Sequence, residues 1–368
     1  MAAARTANQA AVLTAVQNMP SSSAPFVVLA NLQNDAQLRN GADQLSGEIY
    51  ASAQSTYLDD ARIVRDAVTS RLSQANLDNY GISATSGQRA TTQSNGVTWW
   101  GQSVGSWGRQ DDTGNGAAAS RTTGGFLFGA DMPVGEGSRI GVVGGYTRTS
   151  LGLSQRASSL SSDDVHVGLY AGTSFDALAL SAGGDYTQHG MDANRRVTMA
   201  DFSGNVRGSA TARTTEFYGN AAYRLSFNKA VVEPFVQAAY VRLSTDAFRE
   251  RDSVMALAVQ GSRHAVVYTT LGTRAATHFV FQGDAFTAHA SAGWRHVSGN
   301  LKTGTSLAFA DAGAFAVQGL PIARNAVVVS AGIDVAVNKR LKLGVSYDAQ
   351  VAAHATDAGF RGKVSWQF

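Results

Sequence analysis

A chain of 368 residues with 15% charged side chains, 39 glycines and no cysteine can build a large domain plus an appendage, and it excludes disulfides and thiolate metal sites. Mean hydropathy is −0.10, and no run of about 18 apolar residues occurs, which excludes a transmembrane helix but not a barrel of alternating strands. The net charge of +3 comes from 25 Arg and five Lys scattered along the chain, without the basic cluster and interleaved aromatics that nucleic-acid binding requires.

Met1 is followed by Ala2, Ala3 and Ala4 with no apolar h-region, so an exported chain opening this way reads as the later part of a longer protein. Residues 1 to about 76 read as helix. Thr6 or Asn8 can cap a first segment ending near Met19-Pro20, and Pro25 can start a second over 26–32. A longer helix is expected over 43–74, where Leu45, Ile49, Ala53, Tyr57, Ala61, Val64, Val68 and Leu72 recur at three- and four-residue steps. Its remaining surface is polar, with Asp43, Glu48, Asp59, Asp60, Arg62, Arg65, Asp66 and Arg71. Such a helix is about 48 Å long at 1.5 Å per residue, against about 30 Å of bilayer hydrocarbon. It fits either the outside of a soluble domain or the inside of a polar pore.

A polar linker, 81–96, precedes a switch to period two at Val97. Twelve strands are expected near 97–109, 120–133, 138–151, 163–175, 178–190, 209–227, 230–246, 263–280, 284–298, 323–337, 340–352 and 357–368. Globular strands average about five or six residues, whereas membrane strands need about nine to eleven. Connections alternate as well. Turns at 135–138, 176–177, 228–229, 282–283 and 338–339 are tight, while 152–162, 191–208, 247–262 and 299–322 are expected as long loops. Short turns on one side and long loops on the other, with an even strand count, describe an all-β transmembrane barrel: twelve-stranded, antiparallel and up-and-down, with the N-terminal helix threading its pore.

The last strand alternates Phe360, Gly362, Val364, Trp366 and Phe368 with Arg361, Lys363, Ser365 and Gln367. A final strand ending on an aromatic is similar to the assembly signal of outer-membrane barrels, with Phe360, Val364, Trp366 and Phe368 as its apolar face. Trp99, Trp100, Trp107, Tyr170, Phe175, Trp294, Tyr347 and Trp366 suit interfacial girdles. Glycines such as Gly125, Gly129, Gly145, Gly168, Gly172 and Gly293 are expected to relax the strands and leave room for a helix.

Several fragments in order then resemble the translocator domain of type Va autotransporters. They are Leu45-Ser46-Gly47-Glu48-Ile49-Tyr50 in the helix, Gly124-Gly125-Phe126-Leu127-Phe128-Gly129 in the second strand, Gly168-Leu169-Tyr170-Ala171-Gly172, Glu233-Pro234-Phe235 and Gly319-Leu320-Pro321-Ile322. The resemblance covers nearly the whole chain. It implies three parts: a helical linker and pore helix (1–80), a polar linker (81–96) and the barrel (97–368). It also implies an outer-membrane unit that exports or anchors an N-terminal passenger, absent here, and is plugged afterwards by its helix. Leu45, Ser46, Gly47, Glu48, Tyr50, Arg62 and Arg65 are the pore-helix residues so implied. The implied partners are outer-membrane lipid and lipopolysaccharide, the covalent passenger, barrel-assembly machinery and periplasmic chaperones. A monomer without cofactor or nucleic acid is expected. Some such families cut the passenger at an Asn-Asn pair in the pore; this helix has none, so that activity is not carried over.

The competing reading is a barrel enzyme of the outer membrane, a protease or a lipid acyl-transfer enzyme or hydrolase. Gly101-Gln102-Ser103-Val104-Gly105 matches G-x-S-x-G, but that motif needs a strand, an elbow and a helix, and here a strand continues through it. The seven His residues show no i, i+4 helical pair, and a rim cluster of Asp, His or Ser is not identifiable.

Overall fold

In the computed structural model of the protein, residues 3–79, 96–199, 202–227, 230–338 and 340–367 are described. Phe368, most of the 81–96 linker and the turn residues at 228–229 and 339 lie outside them. Alternation from Val97 onward becomes twelve antiparallel strands: β1 (Thr98–Gln110), β2 (Ala119–Pro133), β3 (Ser138–Leu153), β4 (Ser158–Phe175), β5 (Leu178–Met199), β6 (Phe202–Tyr223), β7 (Ala230–Thr245), β8 (Ser262–Phe281), β9 (Asp284–Gly299), β10 (Asn325–Ala336), β11 (Leu341–Ala352) and β12 (Ala355–Gln367). Each pairs with the next, and β12 returns to β1 from Thr98↔Gln367 to Gln110↔Ala355. Closure leaves the sheet without an unpaired edge, as a lipid-facing sheet requires.

The tight turns follow local chemistry. Gly135 and Gly137 both have φ of +71°, and Gln282-Gly283 take φ of +52° and +91°, the double left-handed pair of a type I′ hairpin. At the opposite end the structure corrects two expected loops. Residues 191–199 and 202–208 are strand, carrying β5 and β6 up to Met199 and Phe202, and 158–162 belong to β4. The reason is unbroken alternation: Met191, Ala193, Arg195, Val197 and Met199 all turn inward and are buried. The other two loops, 247–262 and 299–322, fold together. Their segments Phe248–Arg249, Leu257–Val259, Gly304–Phe309 and Phe315–Gln318 form a second, four-stranded sheet.

The barrel's outer face is a belt of exposed apolar side chains. One aromatic rim at the short-turn end holds Trp99, Phe175, Tyr223, Phe227, Phe281 and Trp366; a second holds Trp107, Phe217, Tyr240, Trp294 and Phe360. Eight residues separate Trp99 from Trp107, about 27 Å along the strand and about 21 Å along the axis at a tilt of about 40°. Phe360, Val364 and Trp366 all lie on this face, and Phe360 packs 5.2 Å from Tyr347 and 6.0 Å from Trp107 (ring centroids). Trp100 and Tyr170 do not join the girdle. Both turn inward, over Gly129 and Gly141, and Trp100 Nε1 donates to the Tyr170 hydroxyl at 2.7 Å. Of the six expected glycines, Gly172 borders the helix at Leu72, whereas Gly125, Gly129, Gly145, Gly168 and Gly293 border neighbouring strands.

The N-terminal region comprises α1 (Ala7–Gln17), α2 (Ala24–Ala30), α3 (Asp35–Leu45), α4 (Glu48–Asp60) and α5 (Arg62–Asn79). Thr6 caps α1 by accepting from Gln9 N at 3.1 Å. The expected helix from Asp43 onward is broken. Gly47 has φ of +61°, and Ser46 Oγ donates to Asp43 O at 2.8 Å, ending α3. Glycine adopts that left-handed conformation without steric cost, so the chain turns there and the lumenal helix starts at Glu48. Helices α4 and α5 then follow one another with only Ala61 between them, and Ala61 itself keeps right-handed helical angles. Helices α1–α3 and the small sheet cap the long-loop end, sharing buried Val12, Val16, Leu45, Leu257, Leu307 and Phe315.

Candidate functional site

The lumen contains α4 and α5, and the helix is buried almost all round. Glu48, Ser52, Gln54, Ser55, Asp60, Arg65 and Arg71 are all buried beside Ile49 and Val68, none more than 7% exposed. Polar positions that read as a solvated helix face are therefore sunk into a polar wall. Burying a charge is costly unless it is paired and hydrogen-bonded, and the wall supplies a partner at each level.

At the long-loop end, Arg156 reaches Glu48 (Nε–Oε2 2.8 Å) and Asp43 (3.3 Å), and Glu48 Oε1 accepts from Ala117 N at 2.6 Å. The Tyr50 hydroxyl donates to Glu250 Oε1 at 2.6 Å. Arg195 grips the same carboxylate twice at 2.6 Å and donates to Gln44 O at 2.8 Å. Midway, Tyr268 donates to Asp59 at 2.8 Å, and Asp60, Arg121, Asp357 and Arg62 form an alternating chain of ion pairs. One and a half turns on, Arg65 pairs with Glu216, both fully buried, and lies 5.6 Å from the Tyr268 ring centroid. Lowest, Arg71 meets Asp131 in a two-pronged pair of 2.8 and 3.0 Å, and Arg139 and Tyr170 bond the same carboxylate. Bidentate pairs of this kind fix orientation as well as position.

The expected helix residues thus divide by role. Glu48, Tyr50, Arg62 and Arg65 make wall contacts; Ser46 and Gly47 make the turn; Leu45 is fully buried in the apolar cap. Their partners Glu216, Asp131, Asp357, Arg121, Arg156, Arg195 and Glu250 were not singled out by the sequence. All but Glu250 and Arg156 sit on inward strand positions, so a charge at a lumen-facing position was the available signal.

Opposite strands β8–β12 the helix leaves a cavity of about 230 Å³, bordered by Asp66, Ser70, Ser73, Arg274, Arg295 and Lys363. Lys363 Nζ and Arg274 cross it to Ser70 Oγ (3.0 Å) and Ser73 Oγ (2.5 Å). On the other side, His189 stacks under Tyr57, with ring centroids 4.2 Å apart. His189 Nδ1 lies 2.7 Å from Asp164 Oδ1 and Nε2 lies 2.9 Å from Thr214 Oγ1. This Asp–His–hydroxyl chain is closed off: all three residues are at most 3% exposed. Ser103 is no nucleophile elbow; it sits mid-strand on the outward face and accepts from Gly362 N at 3.2 Å.

Gly319 and Leu320 tie the cap to the lumenal helix. Gly319 lies against the α4 backbone, where an added Cβ would overlap Ala51 and Ser52, and Leu320 N donates to Ser52 Oγ at 3.2 Å. Within the cap, Asn8 of α1 pairs with the edge strand Phe315–Gln318, donating to Gln318 O at 2.8 Å and accepting from Gln318 N at 2.9 Å. Gly319→Val is expected to push the 299–322 loop off α4 and leave the barrel ladder intact. Protease would then cut that loop in the folded variant and spare the wild type; equal resistance would contradict the close packing.

Comparison with known proteins places this architecture. The family model for the autotransporter β-domain matches residues 99–348. Two sequences named extracellular serine protease from Serratia marcescens are 32% identical over 90% of the chain, and the chain spans 31% of their length. The translocator domain of NalP from Neisseria meningitidis shares the fold at a TM-score of 0.64 and 14% identity, over 85% of this chain and 99% of that one. The β-domain of the Bordetella autotransporter BrkA superposes at 0.56 and 19% identity, over 74% of this chain and all of its own. The transport unit of AIDA-I from Escherichia coli gives 0.55 and 16%, over 82% and 97%. A closed twelve-stranded barrel with a helix bonded along its lumen, matched over most of its length by this family, belongs to the autotransporters: the chain is an outer-membrane translocator β-domain.

Proposed function

We propose that the barrel carries an N-terminal passenger to the cell surface and that α4–α5 seals the pore once the passenger has crossed. The long-loop end with its cap faces the exterior; the tight turns and the last strand face the periplasm. The parts are then a helical linker and pore helix over 1–80, a polar linker over 81–96 and the barrel over 97–368. The observation that carries this reading is the ladder of charged pairs from Glu48–Arg156 to Arg71–Asp131 along one helix. A lumen wall of Asp, Glu, Arg and Thr can hydrate an extended chain in transit, and the same groups pair with the helix when it comes to rest.

The relatives' name supports a passenger of the serine-protease class. The barrel itself transports and does not catalyse, since its Asp164–His189–Thr214 chain is shut beneath Tyr57. Phe360, Val364 and Trp366, with Phe368 beyond them, are proposed as the assembly signal read by the barrel-assembly machinery after periplasmic chaperones deliver the monomeric chain. An epitope placed ahead of Met1 and a second in the 176–177 turn test the orientation. In intact cells external protease should remove the first and spare the second; the reverse pattern would overturn the reading.

A further inference from the structure

Above the second aromatic rim, three neighbouring strands each present an arginine to the outside. On β6 the outward positions run Phe217, Thr215, Arg213; on β7 they run Tyr240, Arg242; on β8 they run Val267, Ala265, Arg263. Their inward neighbours Ala212, Thr214, Val241, Leu243 and Val266 are buried, which fixes the arginines on the outer face. The ladder pairs Arg213 with Ser244, Arg242 with Ala265 and Arg263 with Ser244. Arg242 is therefore the diagonal neighbour of both other arginines, about 7–8 Å from each. Tyr240 lies two residues from Arg242, about 7 Å along the strand. The cluster thus stands one step above the lipid belt, at headgroup height.

The charge there is largely uncompensated. Asp246 pairs with Arg213 at 2.7 and 2.8 Å. Arg242 and Arg263 are exposed and form no ion pair among the described residues. Like charges on adjacent strands repel, so an anion held between them removes a cost the free surface carries. Guanidinium groups suit phosphoryl oxygens because their N–H groups can bond two at once.

We infer that Arg213, Arg242 and Arg263 form a binding site for the phosphoryl groups of an outer-leaflet glycolipid, whose acyl chains lie on Phe217, Tyr240 and Val267. This rests on the orientation proposed above, with the long-loop end outward. The glycolipid is favoured over a free anion because the apolar belt begins immediately below the cations.

The test uses the full chain refolded in detergent. The midpoint of heat unfolding, read as loss of the compact gel form, is followed against added diphosphorylated lipid A, dephosphorylated lipid A, phosphatidylglycerol or inorganic phosphate. Diphosphorylated lipid A alone should raise the wild-type midpoint at low concentration. The double variant Arg242→Gln/Arg263→Gln should need at least about tenfold more for the same rise, while Lys302→Gln in the cap should respond as wild type does. Equal responses of wild type and double variant would overturn the site. So would an equal rise with dephosphorylated lipid A, phosphatidylglycerol or inorganic phosphate. The epitope measurement on the same variant separates the two readings. An exposed N-terminal epitope with an unchanged lipid response rejects the site alone, whereas a shielded epitope rejects the orientation.

Discussion

Barrel lacking residues 1–79 should conduct ions several-fold better than the full chain in planar bilayers. The lumenal helix with its side chains is a cylinder about 10 Å across, and in the full chain α4 and α5 are bonded to the wall from Glu48 to Arg71. Removing them leaves Glu216, Asp131, Asp357 and Arg121 facing water, where they need no partner. The barrel ladder loses none of its strand pairs, because closure is made by β12 on β1. The truncated barrel should therefore still fold and show heat-modifiable migration. Unchanged conductance in a correctly folded truncation would show that the helix does not seal the pore.

Arg65→Met should release the helix more than Glu216→Gln does. Arg65 is the fully buried cation bonded to Glu216, and Asp66 on the helix itself lies 3.9 Å from its Nε. Removing the arginine leaves the Glu216 carboxylate buried without its cation, whereas Glu216→Gln keeps an amide oxygen that Arg65 can still bond. Breaking a buried pair on one side costs about 3–5 kcal/mol, whereas replacing both members with apolar groups of similar size is near neutral. Amide exchange in α4–α5 should accelerate strongly in Arg65→Met and return towards wild type when Glu216→Met is added. An equal effect of Arg65→Met and Glu216→Gln would mean that the amide does not replace the carboxylate as a partner for Arg65, and no effect of either would remove the pair from the sealing account.

Much of this is legible in the amino-acid sequence. Long period-two stretches, tight Gly-containing turns and an aromatic outward face determined a barrel, because a strand that must cross hydrocarbon cannot hide its alternation. The three- and four-residue spacing from Leu45 to Leu72 determined a helix. Its starting point was not legible: the break at Ser46-Gly47 looks like two tolerable helix residues until Gly47 adopts φ of +61° against Leu257.

The 191–208 segment misled for the opposite reason. Its polar outward residues Asp192, Asn194 and Arg196 looked like loop, while Met191, Ala193, Val197 and Met199 continued the strand. Only the tertiary structure decided which charges meet. Arg65 and Glu216 are 151 residues apart, and Asp357 joins Arg62 to Arg121 across the closure of the barrel. Such pairs depend on the shear of the closed sheet and the rotation of the helix within it, and neither quantity is written in local periodicity. The sequence by itself determined a sheet that must close around a helix that must sit inside it. The register between them was decided by the buried charges, since each misplaced pairing would leave a charge stranded without water or partner.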